Sequence, residues 1–240
     1  MHNKFKHNLF AENISSEFDY LVTVSSDYKI FKSETSSFID SLNNTSANFC
    51  LVLLIHDTDQ KYLKKILSEL QKKEIKNYII YFEDSKNYDF DLVETRTYFT
   101  SKRYLLVNEI LLKFNKPVFL FDADSLILKD LNHYKNQYIK YDMSLHIKAE
   151  LRYFDTILTA NQSLFYPTNS SKIFLNFFKS KLFNTLINRK IFWQLDQVIL
   201  YSSFIFIKRY YQVSIHNNSI NTHKNVDSYF YHTFHNKYLL

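Results

Sequence analysis

The chain has 240 residues, 46% of them hydrophobic, and a formal net charge of +6. That length can bury a full core without disulfides or a structural metal, and the charge admits anionic partners such as a phosphorylated substrate or an acidic membrane surface. The complete absence of glycine excludes the glycine-dependent phosphate cradles: the dinucleotide fingerprint, the P-loop and the Gly-rich kinase loop. With no Gly and only 2 Pro, turns and helix ends fall to Asn, Asp and Ser. Aromatic residues reach 18%, with 23 Phe and 19 Tyr, so a lone aromatic says little about a ligand site. The lysine-dominated charge is scattered, which argues against a specific nucleic-acid reader. The single Cys50, within an apolar run, reads as a buried small hydrophobe, and one cysteine permits no disulfide within the chain. No signal-peptide core and no bilayer-length apolar run is present. A cytoplasmic protein is expected, with peripheral contact to a membrane surface left open.

Residues 1–19 read as a polar lead-in, and Tyr20 to Val24 as a first buried strand closed by Ser25-Ser26-Asp27. A helix is expected from Phe31 to Leu42, with Ser33 or Thr35 as caps, then a second buried strand from Phe49 to Ile55. Leu63, Ile66, Leu67 and Leu70 mark an amphipathic helix, and Tyr78 to Phe82 a third strand. Glu83 to Glu94 reads as a loop, followed by a helix from Tyr98 to about Lys113 with Lys102 and Arg103 near its start. This alternation is the pattern of an α/β fold with a mostly parallel sheet.

Pro117-Val118-Phe119-Leu120-Phe121 is the fourth buried strand, and it runs into Asp122-Ala123-Asp124. Ligands of open α/β sheets collect at the carboxyl edge. If the strand stops near Phe121, both aspartates lie on a turn and can aim at one hard cation, Mg²⁺ or Mn²⁺. The plain alternative is an Asx-turn closing the strand. Further strands are expected at Tyr141 to Ile147 and Ser163 to Tyr166, and a helix capped by Asn169-Ser170-Ser171 carries Ile173, Phe174, Phe177, Phe178 and Leu182. Lys190 to Leu200 reads as an apolar helix interrupted by Asp196 and Gln197, polar groups that are costly to bury unless paired; the pair is a candidate site, with a structural cap or bridge as the competing interpretation. The tail from Tyr211 holds His216, His223, His232 and His235; the last two, within Tyr231 to Lys237, can fold back over the sheet edge, where a histidine completes an aspartate metal site, and the plain alternative for each is a surface residue. Together Asp122, Asp124, a histidine, Arg103, Asp196 and Lys237 form a set suited to a diphosphate, with Arg103 and Lys237 on the anion. For Arg103, a solvated or salt-bridged arginine is the competing interpretation.

The order of these motifs resembles the GT-A fold nucleotide-sugar glycosyltransferases, closest in pattern to the glycogenin and lipopolysaccharide galactosyltransferase-like group. Leu21 to Asp27, Lys102 to Leu106, Val118 to Ile127, Asn161 to Tyr166, Leu195-Asp196-Gln197 and His232 to Lys237 carry the resemblance. It implies a single domain over 20–240, with a nucleotide-binding half at 20–131 and an acceptor-side half and tail at 132–240. It implies a central, mostly parallel mixed sheet and a metal-dependent transfer from a UDP-sugar to a glycan, lipid-linked or protein acceptor. By the same resemblance Val24, Asp27, Arg103, Asp122, Ala123, Asp124 and Lys237 bind the donor. Asp122, Asp124 and His232 hold Mn²⁺ or Mg²⁺, and Asp196 and Gln197 act at the transferred sugar. Ser163 and His235 stand where the family has glycine, which bears on the pocket and on activity. Two rivals remain at this point. An apolar strand ending in Asp-x-Asp is also the signature of haloacid-dehalogenase-like phosphatases, and a transferase-like chain can persist as a binding protein without activity.

Overall fold

The computed structural model describes residues 8–84, 91–148, 157–188, 191–192, 194–218 and 228–232. An eight-stranded mixed sheet forms the middle layer, in the order β1-β4-β3-β2-β5-β8-β7-β9. Its centre is β2 (Tyr20–Ser26), β3 (Phe49–His56), β4 (Asn77–Glu83) and β5 (Val118–Phe121), paired in parallel. β8 (Leu158–Phe165) and β7 (Met143–Ile147) add antiparallel pairs beyond β5, and β9 (Ile215–Asn217) runs parallel to β7. The segment read as a polar lead-in supplies a strand of its own, β1 (Asn8–Ile14), antiparallel on the edge of β4.

The four central strands are continuous apolar runs because both of their faces are covered. Alternate residues go to opposite layers. Leu21, Val52, Ile79 and Leu120 join the core beneath α4 (Leu92–Phe114), α6 (Asn169–Ile187) and α7 (Leu195–Tyr210). Tyr20, Val22, Leu53 and Phe121 face α2 (Ser36–Thr45), α3 (Gln60–Lys72) and α5 (Leu131–Gln137). Cys50 is buried, as expected, and burial pushes its thiol up to about 12.

Several helix boundaries differ from the sequence reading. The helix after β2 opens earlier, as α1 (Tyr28–Ile30) leading into a π-helical segment (Phe31–Thr35) and then α2, and its cap is Asp27, not Ser33 or Thr35. Asp27 Oδ1 accepts from Ile30 N–H at 2.7 Å. Asp91 and Glu94 form a capping box that starts α4 six residues ahead of Tyr98, so Lys102 and Arg103 lie well inside the helix. α7 begins only at Leu195, because Gln194 takes a left-handed φ of 65° that no helix propagates. Asp196 therefore lies in the first turn, where the helix dipole favours a carboxylate, and not in mid-helix. α5 has no counterpart in the sequence reading.

Without glycine, the left-handed positions among the described residues are held by Asn48, Asp57, Glu74, Asn115 and Gln194. Trp193, His223, His235 and Lys237 lie outside the described residues. Among the described residues no helix is long and apolar enough to cross a membrane.

Candidate active site

Chain order runs β2, β3, β4 outward in one direction and then returns through α4 to place β5 on the other side of β2. The reversal makes the carboxyl ends of β2 and β5 a topological switch point, the place where ligands of such sheets bind. β5 stops at Phe121, and Ser125 N–H donates to Asp122 O at 3.1 Å, closing a turn over Asp122-Ala123-Asp124. Both aspartates thus sit on a turn at this edge. Asp122 N–H donates to Asn161 O of β8 at 3.0 Å, which fixes the start of the turn. β6 (Ser125–Ile127) follows and pairs antiparallel with β10 (Phe230–His232), and Phe230 packs edge-on against Phe121 at 5.4 Å.

α4 lies over this edge and touches the ends of three strands. Phe99 stacks on His56 at 3.9 Å, Tyr98 and Lys102 reach Glu83, and Arg103 reaches Asp122. Arg103 is 7% exposed; Nη1 donates to Asp122 Oδ1, Nη2 donates to Ala160 O, and Nη2 lies 3.9 Å from Asp196 Oδ2. Burial works against the charge on Arg103, but Asp122 and Asp196 outweigh it and raise its pKa. Burial raises the pKa of Asp196, with Arg103 and the Gln197 N–H opposing. Of the competing interpretation, the solvated form is not seen and the salt-bridged form is: Arg103 is a buried bridge between two carboxylates 74 residues apart in number, Asp122 and Asp196.

The other candidate residues divide clearly. Val24 is fully buried, paired with Phe121 in the core. Asp27 caps α1, and Ala123 is half-buried in the Asp-x-Asp turn. Gln197 is half-buried, and its N–H donates to Asp196 Oδ1 at 3.0 Å. Ser163 is buried in β8, opposite Leu120 and Leu145 of the neighbouring strands. His216 is held elsewhere, on β9, hydrogen-bonded to Ser144 at 3.0 Å and stacked on Tyr138. The backbone of His232 is opposite Ser125 in the β6/β10 pair, one residue past Asp124, while its side chain is outside the described set.

Sequence reasoning missed His56, Glu83, Lys102 and the Ala160 carbonyl. Burial pushes His56 down to about 4, so its ring is neutral at ordinary pH. The runs His56-Asp57 and Phe82-Glu83, polar residues ending apolar strands, are the signal that marks the sheet edge.

For a divalent cation, the fitting donors are Asp122 and Asp124, two hard carboxylates on one turn. Among the described residues no group of three or more His, Cys, Asp and Glu side chains forms a ligand set. Buried polar atoms without partners among the described residues, Arg103 Nε, Ser101 Oγ and Ser26 Oγ, add hydrogen-bonding capacity on α4 and at the end of β2. Two open surface clefts of about 290 and 430 Å³ lie elsewhere, around Asn48 and Lys76 and between Phe31 and Lys65, and neither is lined by these residues.

No family model matches the sequence, and no curated protein sequence matches it. Solved structures do match in fold. Mouse xyloside xylosyltransferase 1 in its apo form is 8% identical with a TM-score of 0.56, over 92% of this chain and 99% of that one. The galactosyltransferase LgtC, in complex with donor and acceptor sugar analogues, is 12% identical with a TM-score of 0.57, over 88% of this chain and 86% of that one. The glycosyltransferase GlyE of Streptococcus pneumoniae TIGR4 is 14% identical with a TM-score of 0.55, over 86% of this chain and 47% of that one. The chain therefore has the GT-A fold that these glycosyltransferases share.

Proposed function

We propose that the chain is a metal-dependent glycosyltransferase that moves a sugar from a UDP-sugar to a glycan, lipid-linked or protein acceptor. The observation that carries this reading is the Asp122–Arg103–Asp196 bridge at the carboxyl edge of the sheet, within a fold held in common with glycosyltransferases. Transfer breaks the bond between the sugar and the diphosphate, and negative charge grows on the departing UDP. A buried guanidinium already fixed by two carboxylates and a carbonyl is an electrostatic partner that need not reorganise as that charge develops. Asp122 and Asp124, with His232, would hold Mn²⁺ or Mg²⁺, which supplies charge neutralisation at the diphosphate when bound. Asp196, in the first turn of α7, and Gln197 beside it would orient the transferred sugar. Lys237 would add a second cation to the diphosphate. The phosphatase reading needs a different fold and is left without support.

Calorimetric titration with UDP, with and without Mn²⁺, tests the proposal, followed by UDP release from a panel of UDP-sugars. Metal-dependent UDP binding with release from at least one donor is expected. Binding without turnover on any donor and acceptor would favour the inactive binding protein, and no binding of UDP would overturn both.

A further inference from the structure

α6 and α7 pack against each other, and the stretch of sequence that holds them has a charge balance unlike the rest of the chain. Between Asn169 and Val213 the sequence holds seven Lys and Arg against a single acidic residue, Asp196, which is buried at the opposite end of α7 from the patch described next. On the surface, Phe177 of α6 stacks on Phe206 of α7 at 3.9 Å and 8°. Phe206 continues to Tyr210 at 5.3 Å and Tyr211 at 5.8 Å. Lys181 lies over the Phe177 ring at 5.1 Å and Arg209 over Tyr210 at 5.5 Å, so cations flank the row at both ends. The row is open: Tyr210 is 62% exposed and Tyr211 43%.

We propose that this face docks the protein on an anionic lipid surface. Half-exposed rings with a polar tip suit the headgroup layer, and Lys and Arg can lay their apolar stems along the rings while their charges reach lipid phosphates. Nucleic acid fits less well. A base needs an open ring face to stack on, whereas Phe177 and Phe206 cover each other, Lys181 lies over Phe177 and Arg209 over Tyr210. Arg209 is about 20 Å along α7 from Asp196 at 1.5 Å per residue, so docking is spatially separate from the candidate active site and does not rest on the proposed reaction.

Sedimentation of the purified chain with vesicles tests this, using phosphatidylcholine alone and phosphatidylcholine with roughly a third phosphatidylglycerol. Binding is expected on the anionic vesicles and not the neutral ones, and it should weaken as salt screens the attraction. Lys181→Gln and Arg209→Gln should each lower the partition roughly fivefold. Tyr210→Ser should lower it further at a salt concentration where the charge contribution is screened. All three side chains lie on the surface, so an unchanged melting curve is the folding control, and the salt dependence of the unaltered protein is a measure that needs no variant. Absent binding, equal binding to both vesicles, or partition unaffected by the substitutions would overturn the proposal. So would a single-stranded oligonucleotide bound as tightly as the anionic vesicles and lost in the same variants.

Discussion

Arg103 and Asp122 form an ion pair between the middle of α4 and the first residue past β5, with Arg103 7% and Asp122 26% exposed. Arg103 also lies 3.9 Å from Asp196 and donates to Ala160 O, so removing it leaves two carboxylates and a carbonyl facing one another. Arg103→Gln should cost about 3 kcal/mol, the usual effect of breaking a buried pair from one side. Asp122→Asn should cost less, because Arg103 keeps Asp196 and Ala160. Asp124→Asn leaves the Arg103–Asp122 pair in place and should unfold near the unaltered protein, yet it should lose Mn²⁺-dependent UDP binding together with Asp122→Asn. Urea unfolding gives the stability order and calorimetry the binding; equal stability for all three variants would show that the bridge holds nothing together.

Asp196 adds a pH dependence whose sign follows from its surroundings. Burial raises its pKa above the ordinary 3.8, with Arg103 only partly opposing. The folded state then holds this proton more tightly than the unfolded state, so the contribution to stability is greatest below about pH 4 and is lost as pH rises through the folded pKa. Asp196→Asn removes that loss. The variant should melt above the unaltered protein at neutral pH, the gap should close in acid, and sugar transfer should fall by a factor on the order of 10² or more. A lower melting temperature at neutral pH would mean that the Arg103 contact outweighs the burial. A stabilised but inactive variant is the pattern expected where a site keeps a group that the fold alone would discard.

The central strands were legible because parallel strands buried on both faces are nearly pure apolar runs, as Phe49 to Ile55 shows. β1 was not, because it is an edge strand with mostly exposed or half-exposed residues and no alternation to read. The Asp-x-Asp turn was legible as a composition break after Phe121. Its partners were not, since Arg103 and Asp196 reach it through the packing of α4 and α7, and no spacing encodes that. The start of α4 was written in Asp91-x-x-Glu94, a capping box, but the polar residues around it read equally well as loop. The early start moves Lys102 and Arg103 from a helix end to a helix interior, where side chains reach the sheet and not the solvent.

Lys102 is the clearest consequence of that shift. It is fully buried, pairs with Glu83 at the end of β4, and its Nζ donates to Tyr98 OH at 2.8 Å. Burial lowers its pKa, and Glu83 works against that. Removing one partner strands the other charge in the core, so Lys102→Met and Glu83→Gln should each cost about 3 to 5 kcal/mol. The double variant leaves no stranded charge and should cost less than the sum of the two by more than about 1 kcal/mol. A double-mutant cycle from urea unfolding measures this. Simple additivity would show that the two groups stabilise the fold independently and that α4 is not pinned to β4 through them.

The absence of glycine has a measurable cost at the end of α3. Ile75 N–H reaches back to Leu70 O at 3.2 Å, and Glu74 N–H to Gln71 O at 3.1 Å, the arrangement in which the helix closes on a left-handed residue. That residue is Glu74, with φ of 56°. Its Cβ opposes this conformation by about 1 to 2 kcal/mol, which glycine avoids at some cost in unfolded-chain entropy. Glu74 is exposed, so its replacement removes little packing. Glu74→Gly should therefore stabilise the fold by about 1 kcal/mol, roughly 2 to 4 °C in melting temperature for a chain of this size. Asn115, at φ of 50° after α4, is the comparison. Asparagine tolerates the left-handed region better, so Asn115→Gly should gain less than Glu74→Gly. Scanning calorimetry of the two variants reads the difference, and an unchanged or lowered melting temperature for Glu74→Gly would mean that the Glu74 side chain makes a contact worth as much as the backbone relief.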